Sequence, residues 1–251
     1  MEELICQNNY ILIHFISSGS FGNVYKVYNK QLKIHTALKI EKEHHVKDES
    51  LETEIKNLIQ LTALNVHNIP LYYDSGYCDV DKKLYLEMAL YDDDLKGFRE
   101  NNILTKNELS SIMFELLFTL YQFRIIEFEH RDIKLANILY KMVNISRIYN
   151  INNNNIIINS LIQPIVADFN HSGFIKDKSQ TLFSFIKTNF VLQDIKKMLS
   201  IFKRLIKITT NLSNNDLMEI KLYIDYIERN DDLSSQFLQN SLLILYNKFI
   251  N

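Results

Sequence analysis

Short runs of β-branched and aromatic residues dominate the first ninety residues of the chain and predict strands. The predicted strands cover residues 10–17, 23–28, 33–41, 71–73 and 83–88. Between the third and fourth strands, over residues 48–64, apolar residues recur at helical spacing and acidic residues occupy the first turn, which predicts an amphipathic helix. We therefore expect an N-terminal five-stranded antiparallel sheet with one helix.

The pattern changes after the acidic run Asp92-Asp93-Asp94, where apolar residues follow the 3 and 4 spacing of buried helices. Helices are predicted at about 107–128, 190–209, 214–229 and 234–250. The asparagine-rich stretch 142–160 is interpreted as a loop or small excursion with little core of its own. The predicted fold class is α+β, in one domain. Its strand-rich lobe covers about 1–89, its connection about 87–92 and its mainly helical lobe about 93–251.

The 251 residues carry a net charge of −2, with 47% hydrophobic and 23% charged residues, which is typical of a globular chain. They contain no basic block, no apolar stretch of membrane-spanning length and no recognisable signal peptide, so we expect neither direct nucleic-acid binding nor membrane insertion. Cys6 and Cys78 are too few for a disulfide framework, and we expect buried, unpaired residues in a reducing compartment. The resulting expectation is an intracellular monomer, in the cytoplasm or nucleus of its own cell or, for a virus or parasite, of a host cell.

The segment His130-Arg131-Asp132-Ile133-Lys134-Leu135-Ala136-Asn137 groups a carboxylate, cations and an amide within one short stretch. Phosphoryl transfer uses these groups, because a carboxylate orients the attacking hydroxyl, a cation neutralises phosphate and an amide oxygen binds a metal ion. The segment resembles the catalytic loop of the eukaryotic protein kinase superfamily, in the form of its Ser/Thr-directed members. The resemblance implies that Asp132 is the catalytic base, that Lys134 contacts the transferred phosphate and that Asn137 binds Mg²⁺.

Two segments near the N-terminus resemble further kinase motifs. Residues 16–24 resemble the glycine-rich loop over the phosphates, with Ser17 where the family has its first glycine. Thr36-Ala37-Leu38-Lys39 resembles the strand whose lysine binds the α- and β-phosphates. Glu54 matches the helix carboxylate that pairs with this lysine, and Glu52 is the competing candidate.

Asp168-Phe169-Asn170 stands where the family has D-F-G, and the resemblance implies that Asp168 is the main Mg²⁺ ligand. Asparagine is among the few other residues that tolerate a positive φ, so Asn170 is a mild departure that puts the family's switching at this joint in doubt. Asp194 resembles the buried aspartate that braces the catalytic loop. An ordinary aspartate on a helix surface is the alternative.

The resemblance also implies that ATP binds in the cleft between two lobes, with Mg²⁺, or alternatively Mn²⁺, as the metal cofactor. Backbone groups of residues 87–89 would hydrogen-bond to adenine. The implied ATP-binding residues are Ile16, Gly19, Gly22, Val24, Ala37, Lys39, Leu86, Glu87, Ala89 and Leu139.

Two departures from the family's pattern bear on the substrate. No A-P-E motif follows Asp168, and about twenty residues rich in Ile and Asn are inserted between Leu139 and Ile165. Both features resemble the haspin branch of histone-directed kinases and the compact kinases of large DNA viruses, although Lys134 stands where haspin has a histidine. The implied substrate is a Ser or Thr hydroxyl of a protein, with histone or another basic protein as the candidate.

Two other functions stay open. Ser17, Asn170 and the absent A-P-E are consistent with a pseudokinase or nucleotide-binding interaction module. A small-molecule phosphotransferase of the aminoglycoside-kinase type shares the aspartate-to-asparagine loop, but Arg131 and Lys134 favour the protein-kinase form.

In kinases, the arginine equivalent to Arg131 commonly pairs with a phosphate on the activation segment. The available acceptors are Ser179, Thr181, Ser184 and Thr188. Because the segment is short, we hypothesise activity without that phosphate. The pair His44-His45 is interpreted as a solvated loop rather than a metal site, and Asp92-Asp93-Asp94 as a helix N-cap rather than a subsite for a basic substrate.

Overall fold

The computed structural model describes residues 4–6, 9–42, 50–78, 82–175, 181–230 and 234–250, and only the backbone over 181–191. His44-His45 and Ser179 lie outside the described residues, as do the side chains of Thr181, Ser184 and Thr188. The chain divides into two compact units. The first unit comprises Met1–Asn65, Ile69–Tyr91 and Asp168–Ser172, and the second comprises Val66–Asn68, Asp92–Ala167 and Gly173–Asn251.

A six-stranded antiparallel sheet forms the first unit, in the order β1-β2-β3-β4-β6-β5. Its strands are β1 (Leu4–Ile5), β2 (Tyr10–Ser18), β3 (Gly22–Asn29), β4 (Ile34–Glu41), β5 (Tyr72–Tyr77) and β6 (Leu84–Ala89). All five predicted strands are confirmed. The additional strand β1 pairs with the start of β2.

The single long helix of the described part of this unit, α1 (Leu51–Ala63), confirms the predicted amphipathic helix. It begins after Ser50, whose hydroxyl accepts a hydrogen bond from the Thr53 amide and so caps the helix. Leu51, Leu58 and Leu61 lie on its buried face.

A disulfide bond joins Cys6, directly after β1, to Cys78, directly after β5. These strands are at opposite edges of the sheet, and Cys78 lies in an apolar cluster with Tyr10 and Tyr85. The expectation of two unpaired cysteines is therefore wrong, because the fold brings together residues 72 positions apart. The expected reducing compartment rested on unpaired thiols and loses that support.

Helices make up most of the second unit. They are α2 (Leu95–Asn101), α3 (Lys106–Ile125), α4 (Thr181–Ile206), α5 (Asn214–Glu228) and α6 (Ser235–Phe249). Helix α3 is buried over residues 109–120 and starts with a capping box between Thr105 and Glu108. Asp94 caps α2 through the Gly97 amide, as predicted for the acidic run. In the part of the chain that the structure describes, no helix is both long and apolar enough to cross a membrane.

Short strands connect these helices. They are β7 (Asp93–Asp94), β8 (Phe128–Glu129), β9 (Ile138–Met142), β10 (Arg147–Ile151), β11 (Asn154–Ile158), β12 (Ile162–Val166) and β13 (Gly173–Phe174). Strands β12, β9 and β7 form one small sheet, β10 pairs with β11, and β13 pairs with β8.

The interpretation of residues 142–160 as an excursion with little core is wrong. Strands β10 and β11 form a hairpin that buries Tyr149, Ile151 and Ile156. Asn152 and Asn153 form its turn with φ of 52° and 62°, which asparagine tolerates better than most residues. The first two asparagines of the run are thus the turn, and alternate residues of the two strands are the core of an ordered hairpin.

Candidate active site

In the first unit, Lys39 of β4 lies in the middle of a row across three strands. Its register partners are Val24 of β3 and Leu86 of β6, and Ala37 lies on the same face two residues earlier. Leu86 and Ala37 are buried. The sheet thus presents one cation within an apolar row.

The Lys39 ammonium contacts two carboxylates. Its Nζ lies 2.5 Å from Glu54 Oε2 on α1 and 3.1 Å from Asp168 Oδ1. Burial by itself would lower the pKa of Lys39, but the charges of both carboxylates raise the pKa overall, so the lysine is a cation. Burial raises the pKa of the Glu54 carboxyl, and the Lys39 ammonium opposes that shift. The competing candidate Glu52 is exposed, so Glu54 is the carboxylate brought to the lysine.

Asp168 has a left-handed backbone with φ of 69° and begins a short 3-10 turn, Phe169–His171. Asn57 holds this turn, since its Nδ2 donates to the carbonyls of Phe169 and Ser172 at 2.9 Å each. Glu54 and Asn57 are three residues apart, so one face of α1 carries both the partner of Lys39 and the support of the Asp168 turn. The kinase motifs do not include Asn57. Its signal was a polar residue in the buried phase of α1.

Asn170 does not use the tolerance of asparagine for a positive φ, because the left-handed residue of this segment is Asp168. Asn170 has an ordinary φ, and its Nδ2 donates to Asp168 Oδ1 at 3.0 Å. Lys39 donates to the same oxygen. The asparagine therefore helps to orient the Asp168 carboxylate.

The predicted glycine-rich loop forms the turn between β2 and β3. The Gly19 amide donates to the Gly22 carbonyl at 2.9 Å. A Cβ at Gly22 would lie 2.8 Å from the Ile40 carbonyl oxygen, so that position excludes any side chain, whereas one at Gly19 would meet nothing closer than 3.6 Å. Ile16 lies at a shift in the β2–β3 register and is largely exposed.

Of the backbone groups of residues 87–89 that are predicted to bind adenine, the Ala89 amide already has a hydrogen-bond acceptor within the protein. The Ala89 amide donates to the Leu71 carbonyl at 2.9 Å and is therefore engaged within the unit. The Glu87 carboxylate is fully buried, where it accepts hydrogen bonds from Tyr10, Asn29 and Thr36. These side-chain contacts were not predicted and give Glu87 a structural part in the sheet.

In the second unit, the segment 130–137 connects β8 to β9. Asp132 Oδ2 accepts from Lys134 Nζ at 2.6 Å and from Asn137 Nδ2 at 2.8 Å. Burial would raise the pKa of the Asp132 carboxyl, but the Lys134 hydrogen bond and charge, with the Asn137 bond, lower the pKa overall. The second unit therefore brings together the three implied catalytic-loop residues around an ionised carboxylate.

His130 and Asp194 support this loop from beneath. The Asp132 amide donates to His130 Nδ1, and His130 Nε2 lies 2.9 Å from the Ala167 carbonyl, so both ring nitrogens contact the backbone. Asp194 of α4 accepts from the amides of His130 and Arg131 at 2.8 and 3.0 Å. The predicted bracing contact is present, and the surface-aspartate alternative is wrong because Asp194 is buried. Burial raises the pKa of its carboxyl to about 6.

Strand β9 carries Leu139, the predicted apolar wall contributed by this unit. It pairs with Ile165 of β12 and with Asp94 of β7, and its side chain is half-buried. Asn137, directly before β9, is held in place because the Asn137 carbonyl accepts a hydrogen bond from the Ala167 amide.

Oxygen donors suitable for Mg²⁺ occur in each unit. The Asn137 amide nitrogen is used by Asp132, which leaves the carboxamide oxygen for a ligand. The Asp168 carboxylate is partly exposed, and both described donors to it contact Oδ1. Mg²⁺ is usually held by one or two carboxylates together with substrate phosphates, and this donor chemistry fits such an ion.

The protein kinase domain family matches residues 10–193, which is nearly three quarters of the chain, so the chain belongs to that family. Fold and family agree, since the strand-rich first unit with one helix and the mainly helical second unit form the α+β kinase fold.

Several named kinases are similar to part of the chain. Cyclin-dependent kinase 2 of Caenorhabditis elegans is 28% identical over 53% of this chain and 37% of its own length. Cyclin-dependent kinase 12 of Drosophila melanogaster is 32% identical over 53% of this chain and 12% of its own length. A protein of Acanthamoeba polyphaga mimivirus, whose name describes a serine/threonine-protein kinase, is 28% identical over 50% of this chain and 23% of its own length. The chain spans well under half the length of these relatives.

Proposed function

We propose that the chain is an ATP- and Mg²⁺-dependent protein kinase that transfers the γ-phosphate of ATP to a Ser or Thr hydroxyl. The observation that carries the proposal is the buried contact of Lys39 with Glu54 and Asp168. A buried lysine kept cationic by two carboxylates matches the group that kinases use to position ATP phosphates. Family membership supports ATP as the phosphate donor.

In the proposed reaction, Asp132 orients the substrate hydroxyl and accepts its proton. The hydroxyl oxygen forms a bond to the γ-phosphorus, the bond to the β–γ bridging oxygen breaks, and ADP leaves. Lys134 neutralises charge on the transferred phosphate, while Asp168 and Asn137 would hold Mg²⁺, which would neutralise further phosphate charge. The lowered pKa of Asp132 favours this assignment, because the carboxylate is ionised at neutral pH.

The proposed ATP contacts divide into phosphate and adenine groups. Gly19 and Gly22 cover the phosphates that Lys39 binds. Adenine lies against an apolar set that comprises Ile16, Val24, Ala37, Leu86 and Leu139. With the Ala89 amide engaged, Glu87 and Ala89 would contribute backbone carbonyls as acceptors for the adenine amino group.

Specificity for Ser or Thr rests on the resemblance of the catalytic loop and on distant relatives named as Ser/Thr kinases. Histone or another basic protein is the substrate that we propose to test first. The acidic run does not add support, because Asp94 caps α2 and Asp92 pairs with Lys141.

The test is transfer of radiolabel from [γ-³²P]ATP to histone and to a generic basic protein. We expect Mg²⁺-dependent labelling of Ser or Thr by the wild type and loss of at least about a hundredfold in Asp132→Asn. Asp225→Asn, in a largely exposed pair with Arg229, is the matched control.

The proposal fails if the wild type labels protein no faster than Asp132→Asn while binding of ATP is demonstrated. ATP binding without transfer would favour the pseudokinase. Labelling of an aminoglycoside or choline-like acceptor in preference to protein would favour the small-molecule phosphotransferase.

A further inference from the structure

Arg131, directly before the proposed catalytic base, has a left-handed backbone with φ of 68°. Residues other than glycine keep this conformation where the surrounding structure fixes it. The Arg131 amide donates to both carboxylate oxygens of Asp194 at 3.0 and 3.2 Å. Its carbonyl accepts from Lys197 Nζ at 2.7 Å. Helix α4 therefore holds both backbone groups of this residue.

The guanidinium of Arg131 is held by a different residue, Glu129 of β8. Nε and Nη2 lie 3.3 and 3.2 Å from Glu129 Oε2. The Glu129 side chain is 2% exposed, whereas that of Arg131 is 39% exposed. A buried carboxylate with a partly exposed cation forms a charge-assisted contact that solvent screens weakly.

Glu129 also contacts the start of the segment that follows the Asp168 turn. Its backbone pairs with Gly173 in the β8–β13 ladder, and the Ile175 amide donates to the Glu127 carbonyl. A Cβ placed at Gly173 would lie 4.0 Å from Arg131 Nη1. Residues 127–129 therefore pair with residues 173–175, and the Arg131 guanidinium lies beside Gly173 in the second unit.

We propose that Glu129 is a positioning residue for the catalytic loop, whose buried carboxylate holds Arg131 and thereby Asp132 without phosphorylation of the segment after residue 175. The inference rests on the proposed kinase function and deepens it by naming its regulation. A phosphate supplied by another kinase would bring negative charge to Arg131 only after modification. The Glu129 carboxylate contacts Arg131 without any modification, because it belongs to the strand that leads into the loop.

The test measures kcat and the KM for ATP separately in Glu129→Gln, Arg131→Met and the double variant. Each single variant should lower kcat about tenfold or more, which is the usual effect of losing a charge-assisted contact. The KM for ATP should change less than about twofold, because the proposed lysine and glycine contacts with ATP lie in the first unit. The kcat of the double variant should be no lower than that of the less active single variant, since the two substitutions remove the same interaction. Glu228→Gln, which removes an exposed carboxylate partner of Lys203, is the control.

Wild-type protein treated with phosphatase should keep its kcat, and loss of activity on that treatment would overturn the inference. So would multiplicative losses in the double variant, or a loss in Glu129→Gln that equals its unfolded fraction at the assay temperature. Arg131→Met keeps the test valid if Glu129→Gln does not fold, because Arg131 is partly exposed. If the wild type transfers no phosphate, the proposed function fails. If it does and Glu129→Gln matches it, this inference alone fails.

Discussion

At the scale of single residues, buried polar side chains hold backbone turns next to the residues that the motifs identify. Asn57 holds the turn after Asp168, and Asp194 holds the amides before Asp132. The motif residues could be predicted because their types and order are visible in the sequence. Asn57 could not, because its partners are two distant backbone carbonyls, and Glu129 could not, because its contact with the nearby Arg131 depends on the conformation of the folded loop.

The carboxyl of Asp194 predicts opposite pH effects on activity and stability. Its folded pKa of about 6 lies above the usual aspartate value, so the folded state binds this proton more tightly than the unfolded state. The stability contributed by protonation is therefore complete below about pH 4 and is lost as the pH rises through about 6. Activity should instead fall as the pH decreases through 6, because the protonated carboxyl is a weaker acceptor for the His130 and Arg131 amides.

Profiles of kcat and of the thermal midpoint between pH 5 and 8 test this prediction. Asp194→Asn should lower kcat at pH 7.5 and flatten both profiles near pH 6. An unchanged acid limb in that variant would assign the titration to another group.

At the scale of secondary structure elements, periodic helices and alternating strands were predictable, and the hairpin of β10 and β11 was not. Its buried Tyr149 and exposed Ile148 alternate as in any strand, but the run of four asparagines that includes the turn resembles low-complexity sequence. Polar side-chain contacts anchor the hairpin to the rest of the second unit. Arg147 and Tyr149 both contact Glu115 of α3, and Tyr149 also donates to Asn68. These contacts depend on residues far apart in the chain, which no local pattern shows.

Replacing Arg147 with Met should destabilise the protein by about 3–5 kcal/mol at pH 7, because the buried Glu115 loses its cation. Burial already raises the pKa of Glu115 and Arg147 opposes that shift, so the loss should be smaller at pH 5.5, where protonation is easier. Urea unfolding at both pH values measures the effect. The double variant Glu115→Gln/Arg147→Met should recover part of the stability.

The exposed pair of Lys203 and Glu228 provides the control for this comparison. Lys203→Met should cost less than about 1 kcal/mol at either pH. Equal losses for the exposed and buried pairs would contradict the assignment of an anchoring function to Arg147.

At the scale of the whole molecule, the disulfide between Cys6 and Cys78 constrains the unfolded chain. It closes a loop across 72 positions, for which the chain-entropy relation gives a stabilisation of about 4 kcal/mol. We expect both Cys6→Ser and reduction of the wild type with dithiothreitol to lower the thermal midpoint. The two treatments should lower it by the same number of degrees, because both remove the same bond. Insensitivity of the wild type to reductant, together with two titratable thiols in the unfolded protein, would show that the bond is absent.

ATP and Mg²⁺ together should stabilise the folded protein more than ATP alone. A ligand that binds only the folded state stabilises it by an amount set by its concentration relative to Kd, about 2.7 kcal/mol at a hundredfold excess. If Asp168 and Asn137 hold Mg²⁺ on the ATP phosphates, ATP with Mg²⁺ should raise the thermal midpoint by several degrees more than ATP with EDTA. Asp168→Asn should lose this metal-dependent part and keep a metal-independent shift, because the apolar row around Lys39 is intact. Equal shifts with and without Mg²⁺ in the wild type would separate nucleotide binding from metal binding and favour the pseudokinase.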